Sequence, residues 1–337
     1  MRTGASRWCR RLPPLYPKAY SCAALAALPR SASAARVLWW HVCAHSGSSV
    51  PDDDDGHEMN SHPDNRPAER DGSRHYVLVT GEPGAARLQL LDDVYGRSTE
   101  ALLTELGVAS GMHVADIGCG TGTVTCWLAA RVGRTGRVVG IDVSAAQLDV
   151  ARRRAERLGL TQLTLWEADA GDTGLPRESF DLVYCRFVLC HLVQPERALR
   201  EMHALLKPDG ILVCDDVDVG SMFADPPSPA VERMRELMLA VGGARGVDYR
   251  LGIRLHRLFR DAGFANPQVR FDQPVHTVGE EKRFWEYTVL EAAPVMLEAG
   301  LTTTAELERL SHELAAVAAE ATTMFAQARK VQVWARK

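Results

Sequence analysis

Between residues 114 and 214 five short, almost wholly apolar segments alternate with stretches of helical periodicity. This alternation constrains the fold more than any other feature. The segments are residues 114–117, 136–142, 163–167, 180–185 and 211–214. Strands that carry so few polar side chains must be buried on both faces, which requires a mainly parallel sheet with helices on either side. Two more strands are expected near 267–271 and 331–335, with helices over 229–241, 253–262, 280–298 (kinked at Pro294) and 305–328. Ahead of the first strand, residues 87–91 and 99–106 read as one or two helices ending at Gly107. The fold class is therefore α/β, Rossmann-like, with a helical insert or lid at about 278–328.

The first strand runs into Gly118-Cys119-Gly120-Thr121-Gly122, and residues 123–130 then start a helix. Glycine accepts positive φ and has no Cβ to hold a ligand off the backbone, while the helix start offers unpaired N–H groups. Asp142 ends the second strand, about twenty residues after the last glycine, where a carboxylate can accept from two ribose hydroxyls. Asp169 follows the third strand and can accept from an adenine amino group. In an open parallel sheet the carboxyl edge of the strands is where ligands bind. A dinucleotide fingerprint wants G-x-G-x-x-G, whereas this loop is G-x-G-x-G. It also has Asp116 two residues before the first glycine. A carboxylate there suits a cofactor with an amino acid tail better than a pyrophosphate.

The order Asp116, Gly118, Gly120, Gly122, Asp142, Asp169-Ala170, Phe180-Asp181 and Leu206-Lys207-Pro208-Asp209-Gly210 resembles the successive motifs of class I S-adenosylmethionine-dependent methyltransferases. It is most similar to the small-molecule branch that includes quinone-biosynthesis and natural-product enzymes, and the match spans roughly residues 76–271. The resemblance implies a seven-stranded sheet whose last strand runs antiparallel, and S-adenosyl-L-methionine as cofactor. It also implies roles for individual residues. Gly118, Gly120 and Gly122 pass beneath the methionine part, Asp142 holds the ribose, and Asp169 with Ala170 frames the adenine. Asp116 lies near the amino end, and Arg186 contacts the cofactor or shapes the substrate mouth. No metal is required.

Transfer from a sulfonium methyl is an in-line displacement whose main demands are alignment and exclusion of water. A base is needed only if the acceptor must lose a proton. The candidates are His191, after the fourth strand, and Asp215 and Asp216 at the end of the fifth, with structural roles as the alternative for each. The functional expectation is methyl transfer to a small-molecule acceptor. The alternatives are a non-catalytic cofactor-binding regulator or scaffold and a nicotinamide-dependent oxidoreductase.

Composition sets the remaining bounds. A net charge of −4 with 24% charged residues provides no field to recruit nucleic acid. None of the eight cysteines forms a C-x-x-C pair, so they read as reduced, mostly buried thiols. No apolar run reaches the roughly eighteen residues of a membrane span. Residues 1–50 contain no Asp or Glu but seven Arg or Lys. That composition fits a mitochondrial transit peptide or translation upstream of a true start such as Met59. Residues 1–72 are accordingly assigned to a disordered extension, a transit peptide or a mis-assigned start, and 73–337 to the catalytic domain. The expected location is the cytoplasm, or the mitochondrial matrix if the leader is genuine.

Overall fold

A computed structural model of the chain describes residues 78–337. The N-terminal assignments over residues 1–72 lie outside the described residues. In chain order the main elements are α1 (Glu82–Glu105), β1 (His113–Ile117), α2 (Thr123–Val132), β2 (Arg137–Asp142), α3 (Ala145–Arg157), β3 (Leu163–Glu167) and β4 (Phe180–Arg186). After these come α4 (Pro195–Leu205), β5 (Leu206–Asp218), β6 (Phe223–Asp225), α5 (Pro229–Arg245), α6 (Leu255–Asp261), β7 (Gln268–Asp272) and β8 (Val275–His276). The chain ends in α7 (Phe284–Glu298), α8 (Thr304–Ala319), β9 (Met324–Ala326) and β10 (Arg329–Arg336).

Seven strands form one sheet in the order β3-β2-β1-β4-β5-β10-β7. The first five pair in parallel, and β10 lies antiparallel between β5 and β7. β1 is flanked by β2 on one side and β4 on the other, so the winding direction reverses there and a crevice opens at their carboxyl ends. The core against one face joins Leu102 and Leu103 of α1 to Leu128 and Val132 of α2 and to Val114, Val138, Leu182 and Val213 of the strands. All eight are fully excluded from solvent. The five described cysteines are free and buried. No helix among the described residues is long and apolar enough to cross a membrane.

Several local expectations are sharpened or corrected. The segment before β1, expected as one or two helices, is a single 24-residue helix. The fifth strand, expected at 211–214, starts earlier: Leu206 already pairs with Phe180, and Ile211 with Leu182, so Lys207 to Gly210 bulge out of the pairing. The bulge is tied down because Lys207 Nζ donates to Asp181 Oδ1 at 2.7 Å while Asp181 Oδ2 accepts from His113 N at 2.8 Å. Desolvation opposes ionisation of Asp181, yet these two donors hold its carboxyl below the ordinary range.

The expected helix over 305–328 stops at Ala319, and Met324 and Phe325 lie on β9. That strand forms a small antiparallel sheet with β6 and β8. The cause lies far away in sequence. Lys282 is buried, and its ammonium donates to the carbonyls of Thr277, Glu320 and Thr323. A buried ammonium needs such partners, and by collecting them Lys282 fixes the chain where it leaves α8.

Candidate active site

A cavity of about 470 Å³ opens at the carboxyl ends of β1, β2 and β4. Gly118 and Gly120 form part of its wall, with φ of 76° and 53°. A Cβ on Gly118 would stand 2.1 Å from Val188 Cγ2, so the turn can pass under the wall only as glycine. Gly122, also at positive φ, is not on the wall. Its backbone packs on α3, where a Cβ would meet Ala151 Cβ at 2.8 Å. The third glycine therefore sets how closely α2 and α3 approach.

Asp142 lies on the wall and binds the turn to the next helix. Its Oδ2 accepts from Gly120 N and its Oδ1 from Ser144 N, both at 2.9 Å. Burial raises its pKa against these donors. Each oxygen retains a lone pair for a further donor. Ser144 caps α3 by accepting from Gln147 N at 3.4 Å. Asp169 and Ala170 also line the cavity, and Asp169 Oδ1 accepts from Gly171 N at 2.8 Å.

Asp116 is 3% exposed and does not reach the wall. Its Oδ2 accepts from Thr125 Oγ1 at 2.6 Å, which fastens β1 to α2. Burial pushes its carboxyl up to about 6, outweighing the help from Thr125. The ionised form is thus the costly one in the folded state. The cost is absent below the unfolded pKa near 4, grows between about pH 4 and 6, and is full above that. Asp116→Asn keeps an acceptor for Thr125 and is expected to be more stable than the parent by roughly 2–3 kcal/mol at pH 7.5. The difference should fade as pH falls to 4. Urea denaturation at both pH values checks this, and equal midpoints at pH 7.5 would show that no such cost exists.

Arg186, the last residue of β4, and Phe187 close the other side. Arg186 Nη2 donates to Asp92 Oδ1 of α1 at 2.9 Å, while its Nη1 is buried without a hydrogen-bond partner. Gly96 lies one helical turn beyond, where a Cβ would stand 2.9 Å from Asp92 Oδ1. Phe187 has φ 55°, rare for so bulky a residue, and its ring meets Tyr95 edge-on at 5.1 Å. Strained backbone of this kind is retained chiefly where surrounding structure fixes it at a site.

The candidate bases separate. His191 is on the wall, edge-on to Tyr249 at 5.3 Å, and burial followed by the charge of Arg87 lowers its pKa to about 3. An imidazole of that pKa is neutral at pH 7 but a weak proton acceptor. Asp215 and Asp216 are off the wall. Asp215 accepts from Thr99, Tyr184 and Gln332 behind the sheet. Asp216 accepts from Cys190 N at 3.1 Å and so holds the short turn that bears His191; burial raises its pKa to about 7.

A helical insert or lid was expected at the opposite wall, but the sequence singled out none of the residues there. Arg87, Leu88, Leu91 and Tyr95 reach it from α1, and Phe284, Trp285 and Thr288 from α7. Arg87 Nε donates to Glu291 Oε2 of α7 at 2.6 Å, and Val79 N donates to the same oxygen at 3.3 Å. This buried pair joins α1 to the roof. The helical spacing of these residues was visible in the sequence, but not that both helices face one cavity.

The family profile of methyltransferase domains matches residues 115–214. The chain is 34% identical to Methyltransferase GfsG of Streptomyces halstedii over 44% of this chain and 54% of that one. It is 32% identical to the ubiquinone/menaquinone biosynthesis C-methyltransferase UbiE of Pseudoalteromonas translucida (strain TAC 125), over 38% of this chain and 54% of that one. The chain thus spans about half the length of these curated relatives. Among solved structures it is similar to a SAM-dependent methyltransferase from Aquifex aeolicus, with 24% identity, a TM-score of 0.41, and coverage of 50% of this chain and 81% of that one. The glycine turn and Asp142 lie within the matched segment, residues 115–214, which is similar to methyltransferase domains.

Proposed function

We propose that this protein transfers a methyl group from S-adenosyl-L-methionine to a small-molecule acceptor, with residues 73–337 as the catalytic domain and about 278–328 as its helical insert. The observation that carries the reading is the convergence of Gly118, Gly120, Asp142, Asp169 and Ala170 on one cavity at the point where the sheet reverses its winding. The donor and acceptor set suits the cofactor. Asp142 keeps lone pairs for ribose hydroxyls, Asp169 and Ala170 stand where an adenine would be framed, and the bare turn leaves room for a methionine chain. The unpartnered Nη1 of Arg186 fits that chain's carboxylate. Asp116 acts from behind the turn, by fixing β1 to α2.

The bound cofactor supplies an already activated methyl electrophile. The protein's contribution is then alignment and dryness. Leu88, Leu91, Val217, Met238, Phe284 and Trp285 give the remaining wall an apolar character that excludes water. The carboxylates on the wall, Asp142 and Asp169, are both at the nucleotide end. The acceptor end therefore presents no carboxylate to pair with a cationic acceptor. No catalytic base is assigned, because the weak basicity of His191 and the positions of Asp215 and Asp216 argue against each. The UbiE relative is named as a C-methyltransferase of quinone biosynthesis. Its similarity supports a small, apolar acceptor for this chain too.

Calorimetric titration with S-adenosylhomocysteine and with NADH tests the cofactor, and labelled methyl transfer to a panel of small phenols, quinols and amines tests the activity. Homocysteine-nucleoside binding together with transfer is the expected result. NADH binding in its place would overturn the reading, and tight binding without any transfer would favour a regulatory or scaffolding role.

A further inference from the structure

α7 opens with two aromatic residues, Phe284 and Trp285, and both line the cavity. Trp285 is 5% exposed, and its indole Nε1 is buried without a hydrogen-bond partner. The two rings meet edge-to-face at 5.2 Å. A buried indole N–H ordinarily finds an acceptor, and leaving one unpaired is unfavourable. Filling the roof does not call for an N–H, since Phe284 next to it and Leu88, Leu91 and Met238 elsewhere on the wall fill space with apolar side chains alone. The group is accounted for if a bound molecule supplies the acceptor.

The chemistry of the N–H narrows what that molecule is. Indole donates and cannot accept, so its partner must offer a lone pair, as a carbonyl, ether or phenolic oxygen does and an ammonium does not. Thr288 lines the cavity from the same face of α7, three residues on, but its hydroxyl donates to Phe284 O at 2.8 Å. That proton is committed within the helix, so among the α7 residues on the wall the free donor is Trp285. The residues read as holding the cofactor, Gly118, Gly120, Asp142, Asp169 and Arg186, all lie between β1 and the end of β4, whereas Trp285 comes from the insert. We propose that Trp285 is an acceptor-binding residue whose Nε1–H donates to an oxygen of the methyl acceptor, which is then an apolar molecule carrying a carbonyl, ether or phenolic oxygen. This deepens the functional reading above and rests on it.

The test uses the full chain saturated with S-adenosylhomocysteine and two probes of similar size, 2-acetonaphthone and 2-isopropylnaphthalene, which differ in a carbonyl oxygen. Equilibrium dialysis compares the parent with Trp285→Phe, which keeps an aromatic ring and removes the N–H. The variant should lose about fivefold in affinity for the ketone and nothing for the hydrocarbon. An equal loss with both probes would mean that the indole acts by packing, and a loss of affinity for S-adenosylhomocysteine would mean that it serves the cofactor. Either result, or unchanged affinity for the ketone, overturns the assignment.

A second measurement needs no variant. The carbonyl stretch of 2-acetonaphthone bound to the parent should move to lower wavenumber than in a hydrocarbon solvent, and a stretch at the hydrocarbon position would show that no donor reaches the oxygen. If the parent binds S-adenosylhomocysteine but neither probe, the acceptor assignment alone falls. If it does not bind S-adenosylhomocysteine, the cofactor reading falls and the role of Trp285 falls with it.

Discussion

Asp142→Ala is expected to weaken S-adenosylhomocysteine binding by about 1–3 kcal/mol, or roughly fivefold to more than a hundredfold, because it removes the charged acceptor proposed for the ribose. The structure adds a second reason for a large effect. The same carboxylate holds Gly120 N and Ser144 N, so its loss frees the glycine turn and the start of α3 together. Asp142→Asn separates the two contributions. It retains one acceptor oxygen, so it should recover part of the turn's order but less of the affinity, since the charge is gone. Calorimetry of the three proteins side by side, with thermal midpoints of the ligand-free forms, gives the comparison. An alanine variant that binds with the parent's affinity would remove Asp142 from the ribose. Because burial raises the pKa of this carboxyl, binding that depends on its ionised form should also weaken as the solution is acidified toward that pKa.

How much of this was legible beforehand depended on how local the signal was. The strands could be read because burial on both faces leaves them almost free of polar residues, and the sheet orders them as that pattern demands. One side of the cavity wall could be read because its parts are tied to strand ends: glycines after β1, Asp142 at the end of β2, Asp169 after β3. What escaped were features created by contacts between distant segments. Asp92 of α1 is an ordinary helical acid in the sequence, yet Arg186 engages it across 94 residues. Residues 305–328 contain no glycine or proline to mark an end, and the stop after Ala319 depends on an ammonium at position 282. The Arg87–Glu291 pair is separated by most of the chain. Asp215 and Asp216 were visible as a strand-end pair of acids, but which way each faces is set by their partners on β10 and beside β4.

The fate of Asp215 leads to the largest stability effect we expect. Lys330 of β10 is fully buried, and its Nζ donates to Tyr95 O at 3.0 Å, Ser98 Oγ at 2.6 Å and Thr99 Oγ1 at 3.0 Å. It stands 3.4 Å from Asp215 Oδ2 and 3.8 Å from Asp272 Oδ2. One ammonium thereby joins α1, β5, β7 and β10 beneath the cavity wall that Tyr95 supplies. Assembling such a pair costs desolvation of both charges, so the pair itself adds little net stability. Removing one partner is different, because it strands the other charge in the interior. Lys330→Met is therefore expected to destabilise the fold by about 3–5 kcal/mol, lowering the thermal midpoint by roughly 6–15 °C. Adding Asp215→Asn to it should restore much of that loss, because the stranded charge disappears while Thr99, Tyr184 and Gln332 keep an amide to bond. A single variant as stable as the parent, or a double variant worse than the sum of its parts, would mean that the charge of Lys330 is not what balances Asp215. The recovery in the double variant thus distinguishes charge compensation from the loss of the lysine's three hydrogen bonds, which no change at Asp215 can return.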